Sequence, residues 1–115
     1  MHPNPDAFAK GWIDAWNRHD LEAIMTFYAD ELDYTSAKIK DSGINEDGKL
    51  YNKIAVREYF EKGLVAYPEL YFDYKGHCVG LNSIVVMYIS IHGKMSAEFF
   101  HFNKAGLVDT VMAHY

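Results

Sequence analysis

The last third of the chain, residues 83–115, constrains the fold most. It reads SIVVMYISI, HGK, MSAEFFHF, NKAG, LVDTVMAHY: β-branched and aromatic runs parted by turn signals. That pattern predicts a three-stranded antiparallel meander. His92-Gly93-Lys94-Met95 suits a two-residue loop with Gly93 first. Asn103 to Gly106 suits a second tight turn, with Gly106 free to take positive φ. Turns set register, and register decides which side chains share a face. With these loops, Met87 faces Phe100, Ile89 faces Glu98, and Glu98 faces Val111. One face then holds Val85, Met87, Ile89, Glu98, Phe100, Val111 and Tyr115, and Glu98 is the ionisable group near its middle. The other face holds Val86, Tyr88, Phe99, His101, Val108, Met112 and His114. Both faces are too apolar to stay wet, so each needs a cover.

The rest of the chain supplies one cover. Asn4-Pro5 marks a helix start, with Asn4 as cap and Pro5 in the first position. Phe8, Trp12 and Trp16 recur at helical spacing behind it. Asp20 caps a second helix that turns Leu21, Ile24, Met25 and Tyr28 inward. Residues 31–36 read as a short strand with Leu32, Tyr34 and Ser36 on one side. Residues 38–51 are polar, glycine-bearing and without period, which predicts a mobile loop or lid over the mouth of the fold. Asn52 caps a third helix, whose apolar side collects Ile54, Val56, Tyr59, Phe60, Leu64 and Tyr67 before Pro68 stops it. Residues 70–79 predict a strand with a bulge at Gly76. Helices gathered ahead of a mostly antiparallel sheet imply an α+β domain: three helices against a curved, mixed sheet of about five strands, closing a cone lined by aromatics.

At 115 residues the chain is expected to form one domain, 1–115. A net charge of −5 with no basic cluster argues against nucleic acid. The longest apolar run is far short of a membrane span. One cysteine, Cys78, excludes an intrachain disulfide. It reads as a buried inert thiol, and a cytoplasmic home is the simplest. His2, His19, His77, His92, His101 and His114 show no metal-ligand spacing, so no metal and no cofactor is expected.

Three stretches carry a resemblance: GWIDAWNRHDLEAIMTFYADELDYTS at 11–36, NKIAVREYFEKGLVAYPELYF at 52–72, and AEFFHFNKAGLVDTVMAHY at 97–115. In this order they resemble the NTF2-like superfamily and, within it, the small SnoaL-like proteins. The resemblance implies the NTF2-like, cystatin-like cone and a homodimer through the outer sheet face. It is poor for function, because one fold hosts many chemistries. Against the ketosteroid isomerases of that superfamily, the helix-one tyrosine falls on Trp12, the strand-one catalytic aspartate on Ser36, and the protonated aspartate on Glu98. Only Glu98 keeps a carboxyl, so steroid isomerase chemistry is not expected.

Glu98 is thus the sharpest candidate. A carboxyl among apolar neighbours is poorly solvated, so its pKa should rise, and it could exchange a proton near neutral pH. The alternative is that it merely bonds a buried Tyr hydroxyl or Trp N–H. Tyr34 and Tyr115 are expected to orient a substrate beside it. Trp12, Trp16, Tyr59, Phe60, Met87, Phe100 and Val111 could line a pocket for a small apolar ligand, or could be plain core. Two functions remain open: a pocket protein doing cofactor-free acid/base chemistry of an isomerase, cyclase or dehydratase type, and a dimeric module without catalysis.

Overall fold

A computed structural model describes residues 3–115; His2 lies outside them. The elements run α1 Pro5–Asn17, α2 Leu21–Met25, β1 Tyr28–Thr35, α3 Ala37–Asp41, β2 Lys49–Asn52, α4 Lys53–Ala66, β3 Asp73–Gly80, β4 Ser83–Ile89, β5 Met95–Phe102 and β6 Val108–His114. The three helix starts marked in the sequence are helix starts. Asn4, Asp20 and Asn52 each accept a backbone N–H three residues on, from Ala7, Ala23 and Ala55 at 3.0, 3.0 and 2.8 Å.

One mixed sheet carries the fold, in the order β2-β1-β6-β5-β4-β3. Every pairing is antiparallel except β1 with β6, which is parallel. The cone is therefore the expected α+β architecture, with four helices and six strands in place of three and about five. The additions come from residues 38–51. Ser36 accepts the backbone N–H of Lys38 and caps α3, and Ile39 is fully buried. Ser36 N donates to Gly48 O at 2.9 Å, and β2 then pairs with β1. Two buried anchors, Ile39 and Leu50, order a stretch whose composition signals none.

The hairpin between β4 and β5 corrects the expected register. Ile89 pairs with Met95 and Val86 with Glu98, so the connection spans Ser90 to Lys94. Gly93 donates to Ser90 O at 2.9 Å and takes φ 74°, closing a longer turn than Gly93-Lys94 alone would. The shift is odd, so β4 is turned over. Ile84, Val86 and Tyr88 are buried under the helices, while Val85, Met87 and Ile89 lie on the outer face. Val86, Tyr88 and Val108, expected outside, are inside. Between β5 and β6 two departures cancel. Phe102 pairs with Val108, one residue beyond the expected turn, and a bulge at Asp109 adds another before His101 pairs with Thr110. Glu98 then faces Ala113 and Phe100 faces Val111, so the inward set of β6 is kept.

Three other expectations change. Ile54 is 73% exposed and Tyr67 45%, so the buried side of α4 narrows to Val56 and Phe60, with Tyr59 and Leu64 packed at its edge. Strand β3 starts at Asp73 and not at residue 70. The cause is Asn17, which donates from Nδ2 to Phe72 O and accepts from Phe72 N, at 2.9 and 2.6 Å. Cys78 is an exposed free thiol, not a buried one. The bulge expected at Gly76 is present.

Under the helices the core is ring on ring. Phe8 meets Phe27, Phe100 and Phe102 edge-on, at 5.4, 5.1 and 4.9 Å between centroids. Trp12 packs on Trp16, Phe72, Tyr88 and Phe100.

Candidate functional site

Strand β5 turns Ser96, Glu98, Phe100 and Phe102 inward. Glu98 is only 4% exposed. Its Oε1 accepts a hydrogen bond from Tyr88 Oη at 2.6 Å. Tyr88 reaches it because β4 is turned over, so the residue expected on the outer face is the direct partner of the carboxyl. Its ring lies 4.3 Å from Phe72, which the Asn17 clamp holds in place.

Other phenols lie close enough to feel the charge of the same carboxyl. Tyr34 comes from β1, Tyr28 from the start of that strand, Tyr115 from just beyond β6 and Tyr59 from α4. All four are raised in pKa, first by burial and then by the negative charge of Glu98 or, for Tyr59, after easing by Ser36. They stay protonated donors at any physiological pH. Tyr28 Oη accepts from Trp12 Nε1 at 2.9 Å, so the indole N–H of Trp12 is committed to the core. Tyr115 Oη and Ser36 Oγ share a hydrogen bond at 2.9 Å. Lys38, at the start of α3, lays its ammonium over the Tyr115 ring, 4.3 Å from the centroid. Burial lowers the pKa of Lys38, and Glu98 draws it back up.

Burial pushes the Glu98 carboxyl up to about 7, against the pull of the Tyr88 hydrogen bond and the Lys38 charge. A group at that value can hold or release a proton at neutral pH. Glu98 therefore has the buried tyrosine partner of the structural reading, and its pKa is raised in the expected direction.

The expected pocket residues divide. Trp16, Tyr34, Tyr59 and Phe60 touch one another, with Trp16 and Phe60 at 4.8 Å and Tyr34 and Phe60 at 5.4 Å. The indole N–H of Trp16 is buried with no hydrogen-bond partner among the described residues. Trp12, Phe100 and Val111 are fully buried core. Met87 is a correction: it lies on the outer face of β4, beside Gly76, and cannot line the cone. A surface cleft of about 460 Å³ lies elsewhere, walled by Asp30, Glu31, Lys53, Asn103 and Asp109. Tyr28 stands in its wall, 0% exposed, and Glu98 is not among the residues that line it.

Sequence reasoning missed Tyr88, Ser36 and Lys38. The alternation of β4 could not have found Tyr88, since both its faces are apolar. Ser36 was visible only as the place of a missing aspartate, and Lys38 only as part of a polar loop.

Comparison with known proteins agrees with this fold. The family model for a SnoaL-like domain matches residues 9–113. A SnoaL-like protein of unknown function from Burkholderia thailandensis is 34% identical, with a TM-score of 0.93, over 96% of this chain and 92% of that one. A candidate polyketide cyclase from Sinorhizobium meliloti shares 12% identity and a TM-score of 0.76, over 96% and 95%. A candidate ketosteroid isomerase from Kribbella flavida shares 15% and 0.72, over 93% and 73%. At such identity the last two speak for the fold alone. No protein of curated function matches the chain.

Proposed function

The chain belongs to the SnoaL-like domain family, and from that premise we propose that it binds a small, largely apolar molecule in its cone and moves a proton on it with Glu98. The observation that carries this is the carboxyl itself: 4% exposed, bonded to the Tyr88 phenol and raised to about 7. A buried acid kept only for structure would lower the stability of the fold at neutral pH and return nothing. Phenols at this site suit a ligand oxygen. A carbonyl accepting from Tyr34 or Tyr115 would make a neighbouring C–H more acidic, and Glu98 would take that proton and return it elsewhere. Trp16 Nε1 offers a further donor. Every step uses side chains of this chain.

The test is exchange of carbon-bound hydrogen in a flat apolar ketone, 2-tetralone, followed by NMR in deuterium oxide. Wild type should speed exchange at the carbon beside the carbonyl, with a rate that rises through pH 7. Glu98→Gln should return it to the buffer rate. Equal rates for the two proteins would overturn the acid/base reading.

A second reading rests on the outer sheet face. Val85, Met87, Ile89, Phe99 and Met112 form an apolar surface there that no helix covers, and Met112 is 44% exposed. We propose that a second copy covers it in a homodimer. Sedimentation should give a dimer that Phe99→Asp dissociates; a monomer at micromolar concentration would overturn this. The free, exposed Cys78 suits a reducing cytoplasm.

A further inference from the structure

The inward row of β6 is graded. Val111 is fully buried, Ala113 is half-buried opposite Glu98, and Tyr115 is 45% exposed. A molecule that enters along this row passes Tyr115 before it meets Glu98. At the rim it also meets Lys38, whose ammonium rests on the Tyr115 ring. Lys38 makes no ion pair among the described residues, whereas Lys10, Lys49 and Lys75 each do. The Lys38 side chain is exposed, and its ammonium, seated on the ring, is a positioned charge that an incoming anion can meet. The Tyr115 hydroxyl stands beside it, 2.9 Å from the Oγ of buried Ser36, and being partly exposed it can turn its proton towards an oxygen. The chain as a whole is acidic, net −5, so this cation is a local exception to a field that repels anions.

We propose that the ligand of the cone is anionic at its outer end: a flat, apolar body inside and a carboxylate or similarly charged oxygen stopped at the rim by Lys38 and Tyr115. This rests on the pocket reading above and adds the charge of the ligand to it. The spacing sets the size. Residues two apart on a strand are about 7 Å apart, so an anion at the level of Tyr115 leaves the far part of a two-ring body near Glu98.

Two probes of one shape separate the claims: 2-naphthoate, charged, and 2-naphthamide, neutral. Binding is read by quenching of tryptophan fluorescence at low salt. Wild type should bind the naphthoate at least about tenfold more tightly, a preference that falls as salt is added. Lys38→Met should erase the preference by weakening naphthoate binding far more than naphthamide binding, and Lys38→Arg should restore most of it. If wild type binds both probes equally, or if Lys38→Met keeps the preference, the anionic ligand is wrong and the pocket stands. If neither probe binds, the pocket reading fails and this inference with it.

Discussion

The two ends of the cone are built from the same strands and have opposite chemistry. At the closed end, Phe8, Phe27, Phe100 and Phe102 pack edge to face without a polar atom among them. At the open end, Tyr34, Tyr88 and Tyr115 gather with Ser36 around Glu98. The change runs along each strand in the same spatial direction. β5 passes from Ser96 and Glu98 to Phe100 and Phe102; β4 passes from Ile84 and Val86 to Tyr88. β6 passes from Val108 and Val111 to Tyr115, and β1 from Leu32 through Tyr34 to Ser36. Aromatic burial therefore does two jobs here. One end uses rings to hold the sheet against α1. The other uses rings that carry hydroxyls, which makes a dry place where a carboxyl is neither fully charged nor fully neutral.

The largest effect should come from the closed end. Phe8→Ala removes the ring at the centre of three edge-on contacts, and such truncations cost about 3–5 kcal/mol. Urea unfolding should show that loss, with the Glu98 titration of the surviving folded protein unchanged. A variant that loses little stability, or that moves the Glu98 titration, would show that the two ends are not separate.

The next effect belongs to Glu98, and its sign follows from the direction of the shift. The folded carboxyl holds its proton up to about 7, while the unfolded one loses it near 4.5. The folded state therefore binds more protons in that window, and stability falls as pH rises from about 4.5 to about 7, then levels. The full penalty is roughly 3 kcal/mol. Glu98→Gln cannot ionise, so relative to wild type it should gain about 2–3 kcal/mol between pH 5 and pH 8. Melting at the two pH values measures it. A difference that does not change with pH would mean an ordinary carboxyl, and the open end would be no more than a polar edge to the core.

Part of this division was legible in the sequence. The caps Asn4, Asp20 and Asn52 act through contacts three residues away, so the chain states them locally. Glu98 was placed inside by counting from Asn103 to Gly106, where the extra turn residue and the Asp109 bulge cancelled. The hairpin at Gly93 had no such luck. Val85, Met87 and Ile89 are as apolar as Ile84, Val86 and Tyr88, so nothing in β4 itself chooses a face; packing under α1 chooses it. That choice brings Tyr88 to Glu98. The rim was the least legible part, because Lys38 and Ser36 are positioned by α3, and α3 depends on the burial of Ile39.

The smallest effect on stability should come from the rim, and it sharpens the contrast most. Tyr115→Phe keeps the ring on which Lys38 rests and removes only the hydroxyl that meets Ser36. Tyr115 is 45% exposed, so water can replace part of that bond. Ser36 keeps its role as cap, since its Oγ still accepts from the backbone N–H of Lys38. An exchange of this kind costs about 0.5–1 kcal/mol, a few times less than losing Phe8. Function should move the other way. With one hydroxyl gone from beside Lys38, the preference for 2-naphthoate over 2-naphthamide should fall about three- to tenfold, the worth of about one ordinary hydrogen bond. Paired urea melts and fluorescence titrations read both quantities on the same sample. A loss of more than about 2 kcal/mol, or an unchanged preference, would place Tyr115 with the phenylalanines, as part of what holds the cone together and not of what the cone receives.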